Sequence, residues 1–540
     1  MPISPYDGYT AGSNWIRANQ PVVVTNVAAL RALDKTKIGY AITKGYYTSG
    51  DGGAGEYWYD ISDTTSTDNG GTVIVASDGG RWKRCLSQKD LCPEIFGAVA
   101  DGISDDTTSL KSYISYVQTG GEVQLTPGKS YRITNSLTLT SKHLVCNGKA
   151  TIIADLNNTS MDALVLNALE IRPGTQQIYT PGSHVRGVII LAKSALRDSI
   201  RINRGDYVTL RDVDTQRDPN LSPITRDGVH FEADADGHWI ENLLLENVRV
   251  SDAGRDGFRF EIPANSWHNV FINNGTLTNC EVRGAGLVSP GKCINFVSHN
   301  TTVINTISQI NIMGGEYSLT SSATNQNPDG IGVEKGIGCS SIGNITIIGT
   351  TIECVPTSGS GYAINTKDMD RSTFIDLIPY NFSGSSTGIG GGTDYVLIGS
   401  QGLDAYYPPK DWTPVVSGGT TPGTPVYSFR LGRATRIGKL CHVDFQFAIA
   451  SWGDSVGNIQ ISGLPWNVSA NAFNAAFGSI GLLNTLTMPA GFYTAALWGV
   501  PNTNTMTISL NGSGVNQQTA TVSQASSSFS LYGSLTYVAD

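Results

Sequence analysis

One short pattern recurs in the middle of this 540-residue chain: an Asp-Gly pair with a glutamate five residues after the aspartate. It reads DGVHFE at 227–232, DGFRFE at 256–261 and DGIGVE at 329–334, and the first two copies start 29 residues apart. Short alternating apolar runs fill the spaces around them: DYVTLRDVDT, NLLLENVRV, NVFINNGTLTNC, SQINIMGGEYSL and GNITIIGTTIEC. A unit of this size cannot cover its own apolar face, so neighbouring units stack and share one continuous core. The period is too long, and too rich in Gly and Asn, for a leucine-rich repeat. The pattern predicts an all-β chain built on a right-handed parallel β-helix, a solenoid spanning residues 94–395. Composition agrees: Gly is abundant at 62 and charged residues are only 15%, which suits short strands joined by turns.

Other regions flank this repeat. Residues 1–26 lack clear periodicity and read either as a disordered terminus or as a peptide that docks to another protein. Residues 27–93 read as a small β-rich module, with a short helix over 27–33, a Gly-rich turn in GDGGAGEYWYD (50–60), and a strand–turn–strand in DNGGTVIVASDGGRWKR (68–84) signalled by Asn69-Gly70. Asp105 and Asp106 precede Leu110, Ile114 and Val117 at helical spacing, which predicts a capped helix ended by Gly120-Gly121. The two aspartates are expected to cap, not to catalyse. Pro408-Pro409 and SGGTTPGTP (417–425) punctuate a linker over 396–425, and residues 426–540 alternate as the strands of a β-sandwich.

A net charge of −9 argues against a nucleic-acid partner. The chain holds no run of about 18 apolar residues that would insert in a membrane, and Met1 opens a polar segment without signal-peptide character. The eight cysteines show no metal-ligand spacing and are expected to be free, buried thiols made in a reducing cytoplasm. No cofactor or metal is expected, since neither a histidine cluster nor a calcium-loop pattern occurs.

Strand alternation turns Val229, Phe231, Phe258 and Phe260 inward. His230, Glu232, Arg259 and Glu261 then face outward. Stacked in register, Glu232 lies over Glu261 at about the 4.8 Å strand spacing, and His230 lies over Arg259; Asn295 and then Glu334 continue the series. Two close carboxylates raise one pKa and leave an acid beside an ionised partner, the requirement of glycoside hydrolysis. Glu232, Glu261, Asp227 and Asp256 are therefore the candidate catalytic groups. His230, Arg259, Arg255, Trp239, Trp267 and Asp236 are the candidate substrate contacts, the tryptophans by stacking on sugar rings. The same acids also read as solvated ladder residues, with Arg226, Arg255, Arg259 and Lys292 as surface partners, and the Asp-Gly pairs also read as turns.

The run FGAVADGISDDTTSLKSYI, with GGEVQLTPGKSYRI after it, resembles the entry segment of the pectate-lyase-like β-helices of bacteriophage tailspikes. GDGGAGEYWYD and DNGGTVIV…RWKR resemble the module that precedes the β-helix in phage depolymerases. The likeness implies a virion tail protein folded in the host cytoplasm and acting outside it. It further implies a homotrimer whose C-terminal domain trimerises and binds sugar, joined to another tail protein through residues 1–26. The implied partner is a bacterial capsular or O-antigen polysaccharide, cleaved by hydrolysis. A lyase working by β-elimination on the same scaffold, favoured by Arg255, Arg259 and Lys292, and a non-catalytic receptor-binding fibre are the alternatives.

Overall fold

A computed structural model describes residues 21–34, 38–86, 91–168, 170–171, 178–179, 182–218, 220, 224, 226–233, 239–264, 270–299, 305–319, 329–336, 341–354, 362–365, 368–380, 389–390, 395–398, 406–437, 439–470 and 476–539. The chain divides into two compact units, Met1–Val396 and Leu397–Asp540.

The first unit opens with a five-stranded sheet formed by Val22–Val24, Tyr40–Thr43, Gly55–Tyr59, Arg81–Arg84 and Val73–Val75, in that spatial order. Its small core holds Leu30, Tyr57, Ile74 and Trp82, closed by the helix Val27–Arg31. Asn26 caps that helix by accepting the Ala29 N–H. The hairpin from Val73–Val75 to Arg81–Arg84 turns at residues 76–80, not at Asn69-Gly70. Asn69 instead accepts the N–H groups of Gly71, Thr72 and Val73 and fixes the entry to the hairpin.

The helix Thr107–Tyr116 follows, with Leu110, Tyr113 and Ile114 buried. Asp105 accepts the Thr107 N–H, whereas Asp106 turns back to the N–H groups of Val99 and Ala100. Burial pushes the Asp106 carboxyl up to about 6 against those two hydrogen bonds.

Beyond it the chain winds as a right-handed parallel β-helix, the hand that parallel crossovers take. One ladder holds nine strands in the spatial order Ile389–Gly390, Ile364–Asn365, Ile331–Lys335, Ile294–Ser298, Phe258–Ile262, Val229–Glu232, Ile200–Ile202, Leu164–Asn167 and Leu137–Thr140. The remaining walls are long strands such as Val270–Thr278 and Asn305–Met313, each followed by a short one, Glu281–Arg283 or Glu316–Leu319. Each coil bends at left-handed residues that stack from coil to coil. Asn242, Asn274, Gln309 and Asn344 form one column, and Asp212, Asn247, Asn279, Gly314, Gly349 and Asp376 another. Asn and Asp tolerate that conformation at low cost, which explains the Asn-rich repeat.

In the second unit a single antiparallel path runs through nine strands, and a tenth pairs at its side. The strand Leu440–Ser451 alternates between exposed and buried positions. Its inner residues Val443, Phe445 and Phe447 pack with Trp452, Phe529, Leu531 and Leu535. The expected linker over 396–425 contains strands of this sheet, Tyr406–Trp412 and Val415–Gly418. Pro408-Pro409 are accommodated because Tyr406–Trp412 is an edge strand whose register shifts between Tyr407 and Lys410. Cys146, Cys280, Cys293 and Cys441 are buried free thiols, whereas Cys85 is exposed, contrary to expectation. Among the described residues no helix is long and apolar enough to cross a membrane.

Candidate active site

The nine-stranded ladder positions the site. Its inward side chains form the solenoid core, where Phe231 stacks on Phe260 with ring centres 4.6 Å apart and Phe260 on Phe296 at 5.0 Å. The alternate side chains make two outer columns. One runs His230, Arg259, Asn295, Gly332; the other runs Glu232, Glu261, Val297, Glu334. The register is the one the repeat predicts.

The surroundings differ from that expectation. His230 and Arg259 are not exposed: their relative exposures are 0% and 4%. Six carboxylates, those of Asp162, Asp198, Asp227, Asp256, Glu232 and Glu261, enclose them together with Arg197, Arg201, Arg226 and Arg255. His230 spans Asp198 through Nδ1 and Glu261 through Nε2, each at 3.0 Å. Arg226 Nη2 lies 3.3 Å from the same Asp198 carboxylate. Arg255 grips both oxygens of Asp227 at 2.9 and 2.5 Å. Arg259 bridges Asp256 at 2.7 Å and Glu261 at 2.5 Å, and Arg201 reaches Glu232 at 2.7 Å. Charges packed this closely neutralise one another, which is what lets them leave water.

The aspartates of the Asp-Gly pairs have a second task. Asp162 Oδ1 accepts the Asp198 N–H, Asp198 the Asp227 N–H, Asp227 the Asp256 N–H and Asp256 the Lys292 N–H. Asp329 repeats the device with Tyr362. Each carboxylate thus ties its coil to the next. After Asp256 a glycine is needed, because a Cβ at Gly257 would lie 2.6 Å from the Cys293 carbonyl oxygen; Asp162 and Asp198, outside the Asp-Gly pairs, are followed by Ala163 and Ser199.

The electrostatics follow from this lattice. For His230, burial opposes the charge, but the hydrogen bonds to Asp198 and Glu261 and the charge of Asp227 prevail and hold the imidazolium up to about 9. Burial would raise Glu261, yet its bonds to His230 and Arg259 drive it far below the carboxylate range. The same contest leaves Asp227 lowered by Arg255. Asp198 and Asp256 are raised, by burial first and then by the charge of Asp227. The expected acid next to an ionised partner does not arise at Glu261, because cations, not a second carboxylate, dominate its surroundings. Asp198, Asp227 and His230 also present donor atoms within 4.8 Å of one another, the arrangement of a possible metal ligand set, but Arg226 and Arg255 already balance these two acids.

Where Val297 and then Glu334 continue the second column, they border a cleft of about 510 Å³. Ser298, His299, Glu334, Lys335, Asn365 and Asp368 line it. Glu334 has a half-exposed side chain, at 50%, held by Lys292 at 2.5 Å and Asn295 at 3.0 Å. Burial opposes its charge, but Lys292 and Asn295 keep it ionised down to about 2. His299 is 43% exposed and sets its Nε2 2.7 Å from Glu261 Oε1, linking lattice and cleft.

Of the other sequence candidates, Trp239 stands on a different wall and meets Phe271 edge-on at 6.2 Å. Trp267 and Asp236 lie outside the described residues. Asp198, His299 and Asp368 were not singled out from the sequence, since none belongs to the repeated pattern.

Comparisons with known proteins return a domain profile, a sequence relative and solved structures. A family profile described as the phage tail protein small four-stranded beta-sheet domain matches residues 23–87. A Mu-like prophage FluMu defective tail fiber protein of Haemophilus influenzae is 38% identical over 96 residues, 17% of this chain. The chain spans 15% of the length of that relative. Tailspike protein 2 of Escherichia coli O157:H7 bacteriophage CAB120 is similar at 14% identity and a TM-score of 0.43, over 94% of this chain and 72% of that one. The Pantoea stewartii glycan biofilm modifying enzyme WceF, which has a tailspike-like parallel β-helix fold, is similar at 11% identity and a TM-score of 0.42, over 94% and 73%. A capsular polysaccharide depolymerase, tailspike gp49 of Acinetobacter baumannii bacteriophage Fri1, is similar at 13% identity and a TM-score of 0.33, over 96% and 98%. Residues 23–87 thus match a phage tail domain, and the 96-residue likeness to a tail fibre protein covers 17% of the chain.

Proposed function

We propose that this protein is a tailspike depolymerase that binds a bacterial capsular or O-antigen polysaccharide and hydrolyses its glycosidic bonds. The observation that carries the reading is the cleft at the end of the outer columns, where Glu334 and Asp368 face one solvent-filled space. Hydrolysis needs two carboxyl groups on either side of the scissile bond, one held ionised. Glu334, kept ionised by Lys292 and Asn295, suits the ionised partner, and Asp368 on the same cleft wall is read as the acid. Glu232, Glu261, Asp227 and Asp256 are read as the lattice that holds the cleft in shape, and Arg255, Arg259 and His230 as its counter-charges. An eliminating lyase is the second reading, supported by Lys335 and His299 on the cleft wall.

The protein acts as a homotrimer attached to another tail protein through the residues ahead of Val22–Val24, which belong to the five-stranded sheet. Self-association is supported by Leu431, Tyr532 and Leu482, which stand 60%, 38% and 37% exposed in one cross-strand row of the second unit. A monomeric native mass would refute the trimer.

Incubation with polysaccharides from a panel of encapsulated bacteria tests the activity. New reducing ends without ultraviolet absorbance of unsaturated uronates support hydrolysis. Absorbance would replace it with elimination, and binding without cleavage would leave an adhesin.

A further inference from the structure

The cleft wall carries one group that the paired-carboxylate reading leaves without a task. We infer that His299 is the proton acceptor for the attacking water, with Glu261 as the residue that positions its ring. The inference rests on the hydrolytic reading above.

The geometry has three parts. His299 lines the cleft and is partly open to it. Its Nε2 sits 2.7 Å from Glu261 Oε1, so this nitrogen donates its proton to the carboxylate and Nδ1 is left with a free lone pair. Glu261 is itself immobilised from behind, at 3.0 Å by His230 and 2.5 Å by Arg259. A base whose ring is oriented by a buried carboxylate is the general design of an activated histidine. The charged neighbours around it are Glu334, Lys335 and Asp368 on the cleft wall and His230 and Arg259 beyond Glu261.

In the step proposed, water forms a bond from its oxygen to the anomeric carbon and gives one proton to His299. The bond from that carbon to the glycosidic oxygen breaks, and its electron pair stays on the oxygen. Asp368, entering as the acid, protonates that oxygen, so one water is consumed per bond cut. Imidazolium and carboxylate then exchange a proton with solvent. Ionised Glu334 faces the positive charge that develops on the sugar.

The test uses the full chain and a polymer that the wild-type protein cleaves. His299→Gln is expected to lower kcat about 100-fold or more, with KM and the melting curve unchanged. Glu261→Gln is expected to lower kcat about tenfold and to shift the acid limb of the pH profile of kcat/KM, through loss of the partner of Nε2. Full activity in His299→Gln, alongside inactive Glu334→Gln and Asp368→Asn, would overturn the inference and leave the hydrolase standing. A Glu261→Gln variant with an unmoved pH profile would reduce Glu261 to a structural role and overturn the positioning claim. Failure of the wild-type protein to cleave any polymer of the panel would instead remove the hydrolytic reading itself.

Discussion

The two halves of the outer columns are built from the same repeat and differ in what they leave open. Around Asp198, Asp227, His230 and Arg259 every charge meets an opposite one, and these four groups are buried at 0–4% exposure. On the coil after Arg259 the corresponding positions are Asn295 in one column and Val297 in the other, and Gly332 follows Asn295. There Glu334, held by Lys292 and Asn295, and His299 remain about half exposed beside a cleft. Buried ion lattices are costly to assemble and rigid once made. The comparison therefore separates a scaffold, where charge is repeated and neutralised, from a workplace, where the repeat thins out.

The largest effect that can break this comparison is on activity. Glu334→Gln, which removes the charge facing the developing cation, or Asp368→Asn, which removes the acid, is expected to reduce turnover by about 10²–10⁴-fold. Glu232→Gln, in the lattice, is expected to cost less than about tenfold under the same reducing-end assay. Equal losses would erase the distinction.

Stability supplies the reverse contrast. Arg259→Ala strands Asp256 without its buried partner and should cost about 3–5 kcal/mol in denaturant unfolding. Lys335→Ala removes only the partly exposed pair with Asp370 and should cost less than about 1 kcal/mol.

The pH dependence sharpens the same point. His230 is raised to about 9 from an ordinary value of 6.5, so its contribution is complete below pH 6.5 and fades as pH rises through about 9. The contribution is on the order of 3 kcal/mol. The melting temperature of the wild-type protein should therefore fall toward that of His230→Gln between pH 6.5 and 10. A constant gap over that range would mean that His230 is neutral in the lattice.

Much of the fold was legible in the sequence, and for identifiable reasons. Alternation in VHFE and FRFE sets Phe231 on Phe260, and the 29-residue spacing sets Glu232 over Glu261. Burial of the outer face was not legible, because Asp198 and Asp162 stand outside the Asp-Gly-x-x-x-Glu pattern yet close the lattice around His230. Reading His230 and Arg259 as exposed followed from alternation alone, which specifies direction and says nothing of what covers a side chain. The cleft was hidden for the opposite reason. It lies where Val297 stands in place of the repeat's glutamate, and a recurring pattern says nothing of such a position. Pro408-Pro409 misled in a similar way, since an edge strand tolerates what a central strand would not.

The most direct test of the account is a crystal structure of the protein with an oligosaccharide released from the polymer it cleaves, soaked into the inactive Glu334→Gln variant. The account predicts sugar in the cleft between His299 and Asp368, with the Asp198–His230–Glu261 and Arg255–Asp227 contacts unchanged. Sugar seated instead on Glu232 and Arg201, or found only on the second unit, would contradict it.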